Sequence, residues 1–204
     1  MNNVLLLGAT GRTGGLFLTR ALEAGHRVTA LVRRPDFDVT HERLTVHHGS
    51  ACDPEVLRPL LPGHDAVVST LGPRWPTRRA AAVYPDSAAA LLPAMWEAGV
   101  ERVLVTSTAL LFEGAGWMTT MLQRLVPAIV DGAGRMEARI RDAAIDWTVV
   151  RTGFLTDAPG ADYRLAVDAM PAPSAGLPRA ALATFLLEEL QSGNHRRQVV
   201  GLSG

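Results

Sequence analysis

The sequence predicts a doubly wound α/β fold built around a parallel sheet, and three observations support this prediction. Short apolar runs alternate with helical patterns along the whole chain, as they do where helices connect parallel strands. A glycine-rich segment directly follows the first apolar run and opens the first predicted helix. The chain has 204 residues, enough for one such domain, and no repeat or linker divides it. We therefore expect a single domain spanning residues 1–204.

The predicted elements follow from the apolar pattern and from the residues that end each run. A short, continuously apolar run is typical of a parallel strand buried on both faces, and glycine often ends a helix. Residues 109–128 are apolar but irregular, and we assign no element there. We predict strands at 4–7, 28–32, 44–46, 66–71, 102–106, 147–150, 163–167 and 198–201, and helices at 12–24, 54–61, 86–98, 136–144 and 178–190.

Composition excludes several classes of function. Twenty basic and twenty acidic residues cancel, so no positive surplus is available to bind a nucleic-acid backbone. The single cysteine, Cys52, excludes an internal disulfide and a zinc site made of several thiolates, and we expect no metal. The N-terminal run lacks a basic leader, and no apolar stretch is long enough to span a bilayer. We expect a cytoplasmic protein, monomeric or homodimeric, that acts on a small molecule and binds neither nucleic acid nor membrane.

The chain contains no lysine, and all twenty basic residues are arginine. This absence excludes Schiff-base chemistry, a phosphate-binding loop that depends on lysine, and a lysine general base. It also excludes the Tyr-x-x-x-Lys pair of the standard short-chain dehydrogenases.

The strongest motif is the segment 8–14, Gly-Ala-Thr-Gly-Arg-Thr-Gly. In this pattern the first glycine, Gly8, allows a tight turn, and Gly11 lets a pyrophosphate approach the backbone. Gly14 allows the helix to pack closely on the sheet, and the helix N-terminus attracts phosphate. The spacing is G-x-x-G-x-x-G, which differs from that of the common dehydrogenases. We predict a dinucleotide site; a glycine-rich turn without a ligand is the alternative.

The end of the second predicted strand indicates which dinucleotide is bound. An acidic residue there would accept hydrogen bonds from a free ribose 2′-hydroxyl, whereas arginine would pair with a 2′-phosphate. The strand ends at Arg33 and Arg34, and the nearest acid, Asp36, follows a proline. We therefore predict NADP(H), with Arg12 as a further contact. The alternative is that both arginines are solvated at a loop edge.

Five segments together resemble one family. They are GATGRTG at 8–14, LVR at 31–33, STLG at 69–72, VTST at 105–108 and DWTVVRTG at 146–153. Over nearly its whole length the chain resembles the atypical short-chain dehydrogenases of the NmrA-like, NAD(P)H-binding type, and it is most similar to their biliverdin-IXβ reductase/flavin reductase branch. The resemblance implies a Rossmann-type sheet in which residues 151–204 form a small cap on the substrate side.

The resemblance also implies roles for individual residues. Ser107 and Thr108 would lie beside the nicotinamide as the candidate catalytic hydroxyls. Two departures bear on the substrate: Ser50 stands where many relatives have an aspartate facing the adenine, and Phe154 replaces a pocket histidine. The implied cofactor-binding residues are Gly8, Thr10, Gly11, Arg12, Thr13, Gly14, Arg33, Arg34, Ser50, Leu71, Gly72, Thr152, Gly153 and Phe154.

The missing tyrosine–lysine pair favours a conjugated acceptor. Reduction of a simple ketone needs an acid to protonate the developing alkoxide, and unperturbed serine and threonine hydroxyls are poor acids. A flavin, quinone or bilin spreads the incoming charge over its ring, so catalysis can rest on orientation. We expect Phe112, Trp117 and Phe154 to contact this substrate, with Phe112 and Trp117 in a lid hinged at glycines 114 and 116. The alternative is that the lid side chains simply pack a helix or a dimer face.

Two functions of different classes therefore remain open. The first is an NADPH-dependent oxidoreductase that reduces a flat conjugated molecule. The second is a non-catalytic NmrA-like sensor that binds NADP(H) and reports its redox state, although such sensors typically have a larger C-terminal part. An isomerase or dehydratase with tightly held cofactor is a third, less favoured option. We read Glu137, Arg141 and Asp142 as a solvated helix face, and Cys52 as a small buried residue rather than a nucleophile.

Overall fold

The computed structural model describes residues 2–112, 116–173 and 175–204, with no account of the side chains of residues 116–118. Its strands are β1 (Asn3–Leu7), β2 (Arg27–Val32), β3 (Leu44–His48), β4 (Ala66–Ser69), β5 (Arg102–Thr108), β6 (Asp146–Thr152), β7 (Leu155–Thr156), β8 (Arg164–Val167), β9 (Leu177–Pro178) and β10 (Gln198–Ser203). Eight of them form a central sheet in the order β3-β2-β1-β4-β5-β6-β10-β8, and β7 and β9 form a separate pair. The predicted fold class is confirmed.

Helices cover both faces of this sheet. Because the pleat alternates, Leu5 and Leu7 of β1 face one helical layer, while Val4 and Leu6 face the other. The first layer contains α2, α4 and α6, and the second contains α1 and α7. Seven α-helices are described: α1 (Arg12–Glu23), α2 (Pro54–Leu60), α3 (Arg78–Ala81), α4 (Val83–Ala98), α5 (Gly116–Leu125), α6 (Pro127–Asp142) and α7 (Arg179–Ser192).

The strand order creates a crevice at β1. This strand pairs in parallel with β2 on one side and with β4 on the other, so the connections leave it in opposite directions. Ligands of open α/β sheets bind at such a switch point, outside the carboxyl ends of the strands. The segment 8–14 begins where β1 ends, so the glycine motif lies at this crevice.

The region 109–128 is more regular than the sequence predicts. After a 3-10 turn at Ala109–Leu111, α5 and α6 follow, separated by a single residue. Pro127 occupies the first turn of α6, where a missing N–H costs nothing. A Cβ on Gly132 would lie 2.7 Å from the Ala81 carbonyl oxygen, so this glycine lets α6 pack closely on α3. The prediction that α6 begins near residue 136 is therefore wrong.

The C-terminal part adds strands to the main sheet. β10 inserts beside β6 in parallel, and β8 pairs antiparallel with β10 at the edge. The two-residue strands β7 and β9 were not predicted, because such short segments carry no periodic signal. α7 packs against α1 and completes the second helical layer.

A buried ionic cluster lies at the opposite end of the sheet from the glycine motif. The Glu189 carboxylate accepts a hydrogen bond from Arg102 at 2.6 Å and from the Thr148 hydroxyl at 3.3 Å. It also contacts the His195 ring nitrogen Nδ1 at 2.7 Å. The Glu189 side chain is 1% exposed, so a buried charge is stabilised by several partners at once.

Among the helices of the described residues, none combines the length and the apolar character that crossing a membrane requires.

Candidate functional site

The candidate site is a cavity of about 470 Å³ outside the carboxyl ends of β1, β2 and β4. Glycine backbone forms part of its wall, and arginine side chains form much of the rest. Among the described residues, no acidic side chain lines it. The lining residues are Gly8, Thr10, Gly11, Arg12, Arg33, Arg34, Thr70, Leu71, Gly72, Pro73 and Arg74.

The glycine loop holds α1 very close to the end of β1. Gly8 has φ +95°, a conformation that side chains rarely adopt, and its carbonyl oxygen accepts the Gly11 amide at 2.9 Å. A Cβ on Gly14 would lie only 2.1 Å from the same carbonyl oxygen. Both positions therefore require glycine.

The N-terminus of α1 offers backbone donors to an anion. The helix begins at Arg12, and no side chain caps its first turn. The first N–H groups of a helix have no partner within it, and they carry the positive end of the helix dipole. Together with the close approach at the glycines, this arrangement fits a diphosphate, because the backbone can touch it and donate to it.

Four arginines line this one cavity. Arg33 and Arg34 follow β2, as predicted, and Arg74 reaches the cavity from the segment after β4. The Arg12 guanidinium is paired with the Asp157 carboxylate at 2.5 Å, and Asp157 also accepts from Arg179 at 2.7 Å. The cavity is thus strongly positive, although Arg12 shares its charge with the segment after β7.

A smaller cavity of about 60 Å³ continues the first one, since the two share four lining residues, among them Arg33 and Leu71. Ser50 lines it, and its hydroxyl oxygen accepts the Cys52 amide at 3.2 Å. Burial, and secondly the charge of Asp86, raises the pKa of the Cys52 thiol. The thiol therefore stays protonated near neutral pH, in agreement with the expectation that it is not a nucleophile, although it is only half-buried.

The two predicted catalytic hydroxyls differ in their surroundings. Ser107 is 6% exposed, and its hydroxyl donates to Glu137 Oε1 at 2.5 Å. Thr108 is half-buried, and its oxygen accepts the amide of Leu110 at 3.2 Å. They point to opposite faces of the sheet, because they are consecutive residues of β5.

The prediction that Glu137 lies on a solvated helix face is wrong. Its side chain is 4% exposed and forms an ion pair with Arg151, Oε2 to Nη2, at 2.7 Å. The other two residues of the supposed solvated face, Arg141 and Asp142, are exposed as expected. The signal that was missed is Arg151 itself, a charged residue between Val150 and Thr152 in a central strand, which requires a buried partner.

Tyr84 of α4 lies beside Gly72 at the cavity wall. Its hydroxyl would be 3.6 Å from a Cβ built on Gly72. Burial, and secondly the charge of Glu137, raises the pKa of Tyr84 to about 12. The hydroxyl therefore remains protonated near neutral pH and is a poor proton source, which agrees with the absence of a tyrosine–lysine pair.

The remaining predicted site residues differ from one another in position and in exposure. Thr152 is buried and pairs in register with Thr108, while Phe154 is 75% exposed just beyond the end of β6. Phe112 is buried, with the Arg151 guanidinium 4.6 Å from its ring centroid. The side chain of Trp117 lies outside the described residues. Thr13 lies in the first turn of α1 and does not line the cavity, and Gly153 follows β6.

Comparison with known proteins agrees with this geometry. Three similar structures are a short-chain dehydrogenase/reductase from Veillonella parvula in complex with NADP, the oxidoreductase ylbE from Lactococcus lactis, and an anaerobillin reductase from Escherichia coli O157:H7. Their sequence identities are 20%, 17% and 20%, and their TM-scores are 0.83, 0.83 and 0.79. The matches cover 100%, 99% and 98% of this chain and 94%, 91% and 96% of those chains.

A family model described as NAD(P)H-binding matches residues 8–193, which include the glycine loop and six of the strands that follow it in the main sheet. The expectation of a nicotinamide dinucleotide cofactor is thereby confirmed. The chain belongs to the NAD(P)H-binding family.

Proposed function

We propose that this protein is an NADPH-dependent reductase that transfers a hydride to a flat conjugated molecule such as a flavin, quinone or bilin. The observation that carries the proposal is the arginine-lined cavity above the glycine loop. We also place the chain in the biliverdin-IXβ reductase/flavin reductase branch. The similarity in fold to an anaerobillin reductase supports a bilin-like acceptor.

The chain's own residues divide the task of holding the cofactor. The backbone of residues 10–14 would receive the diphosphate, because the amides at the start of α1 are uncapped. Arg33 and Arg34 would hold the 2′-phosphate, since a guanidinium can form two parallel hydrogen bonds to it. Arg74 faces the same cavity from the segment after β4, where it can neutralise the remaining phosphate charge. Leu71 and Gly72 would line the ribose, and Ser50 the adenine.

The proposed reaction needs little acid–base catalysis by the protein. When bound, the dihydronicotinamide supplies the hydride. Thr108 would donate a hydrogen bond to the reacting molecule, and Thr152, Gly153 and Phe154 would form the facing wall. Of residues 151–204, the segment between β6 and α7, with the exposed Phe154, would cap the substrate side, because α7 and β10 belong to the helical layer and the main sheet. A conjugated acceptor fits this site because its ring spreads the charge, so orientation rather than a strong acid decides the rate.

Arg33→Ala should weaken NADPH binding roughly 10–100-fold while leaving NADH binding within about twofold. The reason is that a hydrogen bond to a charged group contributes about 1.5–3 kcal/mol, and only NADPH carries the 2′-phosphate. Calorimetric titration of both cofactors measures the difference. Arg135→Ala is the control, because Arg135 pairs with Asp131 on the exposed face of α6. Equal losses for both cofactors would show that Arg33 does not read the 2′-phosphate.

Thr108→Val should lower kcat about tenfold with menadione, FMN or biliverdin as acceptor, and should leave the Kd for NADPH unchanged. The loss corresponds to about 1.4 kcal/mol, near the upper end of the range for one neutral hydrogen bond. Thr184→Val is the control, since its hydroxyl bonds to Ala180 within α7. NADPH oxidation followed at 340 nm tests both variants and the proposal itself. If the wild-type protein binds NADP(H) tightly but oxidises it with none of the three acceptors, the sensor hypothesis replaces the reductase.

A further inference from the structure

We propose that Glu137 and Arg151 are positioning residues that make Thr108, and not Ser107, the hydroxyl available to the acceptor. This inference rests on the proposed reductase function and deepens it. The two predicted hydroxyls are neighbours on β5, and the buried ion pair lies on the face of the sheet to which Ser107 points.

The hydroxyl of Ser107 is engaged in a hydrogen bond to Glu137. The serine donates to Oε1 of the buried carboxylate at 2.5 Å, which is a short, charge-assisted hydrogen bond. A hydroxyl has a single proton to donate, so Ser107 has none left for another acceptor. Turning it toward a substrate would leave Glu137 with one fewer donor in a place that water hardly reaches. Ser107 is therefore part of the support of the site.

Thr108 keeps its proton available. Its oxygen accepts the amide of Leu110 at 3.2 Å, which fixes the side chain, and the described residues offer its O–H no recorded acceptor. Thr108 is the last residue of β5, at the carboxyl end of the sheet, outside which the cavity lies. β5 is the neighbour of β4, and the segment that follows β4 lines the cavity from Thr70 to Arg74.

Arg151 connects the ion pair to the turn that fixes Thr108. Its Nε and Nη2 donate to the two oxygens of Glu137 at 3.1 and 2.7 Å. Its Nη1 donates to the Leu111 carbonyl at 2.9 Å, and its guanidinium lies over the ring of Phe112. One side chain thus holds both the carboxylate under Ser107 and the end of the turn in which the Leu110 amide donates to Thr108. Only a planar fork can do this, and a lysine ammonium cannot.

The structural part of the proposal can be tested without turnover. Arg151→Lys keeps the charge beside Glu137 but loses the fork, so we expect amide hydrogen exchange in residues 109–112 to accelerate at least about tenfold. Arg102→Lys is the matched control, because it alters an equally buried arginine–glutamate pair at the other end of the sheet. The control should change exchange at residues 109–112 less than twofold. Equal acceleration by both variants, or none by Arg151→Lys, overturns the proposal.

The functional part is tested by a double-mutant cycle on kcat with menadione and NADPH. Arg151→Lys and Thr108→Val should each lower kcat about tenfold, and the double variant should lower it little further, because Arg151 acts through Thr108. Thr108→Val should also lower kcat more than Ser107→Ala. Additive losses, or a larger loss from Ser107→Ala, overturn the assignment. If the wild-type protein has no turnover, the reductase function fails, and the exchange measurement still decides whether Arg151 orders the turn.

Discussion

Replacing Gly14 with alanine should lower the free energy of unfolding by about 3 kcal/mol and weaken NADPH binding roughly a hundredfold. The added Cβ would lie 2.1 Å from the Gly8 carbonyl oxygen and 2.7 Å from its carbonyl carbon. Both contacts are to backbone, which cannot rotate away as a side chain can. The N-terminus of α1 must therefore move off β1, at a cost toward the upper end of that for overpacked sites. The amides intended for the diphosphate move with it.

The neighbouring glycine provides the control. A Cβ on Gly15 meets only the Ala9 carbonyl oxygen at 3.6 Å, an ordinary contact. Because alanine is the better helix former by about 1 kcal/mol, Gly15→Ala should leave stability unchanged or raise it. Chemical denaturation and calorimetric titration of the two variants test the comparison. Similar behaviour of Gly14→Ala and Gly15→Ala would show that close packing at residue 14 does not shape the loop.

Glu189→Gln should destabilise the protein by about 3–5 kcal/mol and lower Tm on the order of 10 °C. The substitution keeps the size of the side chain but removes the charge that compensates Arg102, which is 10% exposed. Arg102 would then be a buried cation without its carboxylate. The lost charge also weakens the hydrogen bonds to Thr148 and His195. Because the cluster is far from the cavity, NADPH binding by the folded variant should be unchanged.

Glu188→Gln is the matched control for this variant. Glu188 is adjacent in sequence on α7, and its carboxylate accepts the Tyr163 hydroxyl near the surface. The interaction is partly solvated, so its loss should cost less than about 1 kcal/mol. Thermal denaturation of both variants makes the comparison. If the Glu189→Gln and Glu188→Gln variants lose the same free energy of unfolding, the buried cluster around Glu189 does not stabilise the fold as its contacts indicate.

The sheet and the glycine loop were predictable because both depend on local signals. Each buried parallel strand is a short apolar run, and the glycines at 8, 11 and 14 have a fixed spacing after such a run. Two-residue pairings such as that of β7 with β9 carry no such signal, and they were missed. The start of α6 was predicted at residue 136, whereas the helix begins at Pro127 and uses Gly132 for close packing on α3.

The site was predictable where one element supplies its residues, and not where distant elements meet. Arg33 follows its strand directly, so its place could be expected from the order of elements. Glu137 and Arg151 come from a helix and a strand that only the fold brings together. On the helix alone, a charged residue is most often solvated. The charge of Arg151 inside a central strand was the local indication of the pair.

The carboxylate of Asp157 connects the glycine loop to the C-terminal part of the chain. It holds Arg12 of the glycine loop and Arg179 at the start of α7 at the same time. A bound diphosphate would compete with Asp157 for Arg12. Cofactor binding and the ion pair between Arg12 and Asp157 are therefore thermodynamically linked. The Arg12 and Asp157 side chains are more than 60% exposed, and such a pair contributes less than about 1 kcal/mol. This ion pair can therefore change the affinity for the cofactor by a few-fold, but it is too weak to act as a switch.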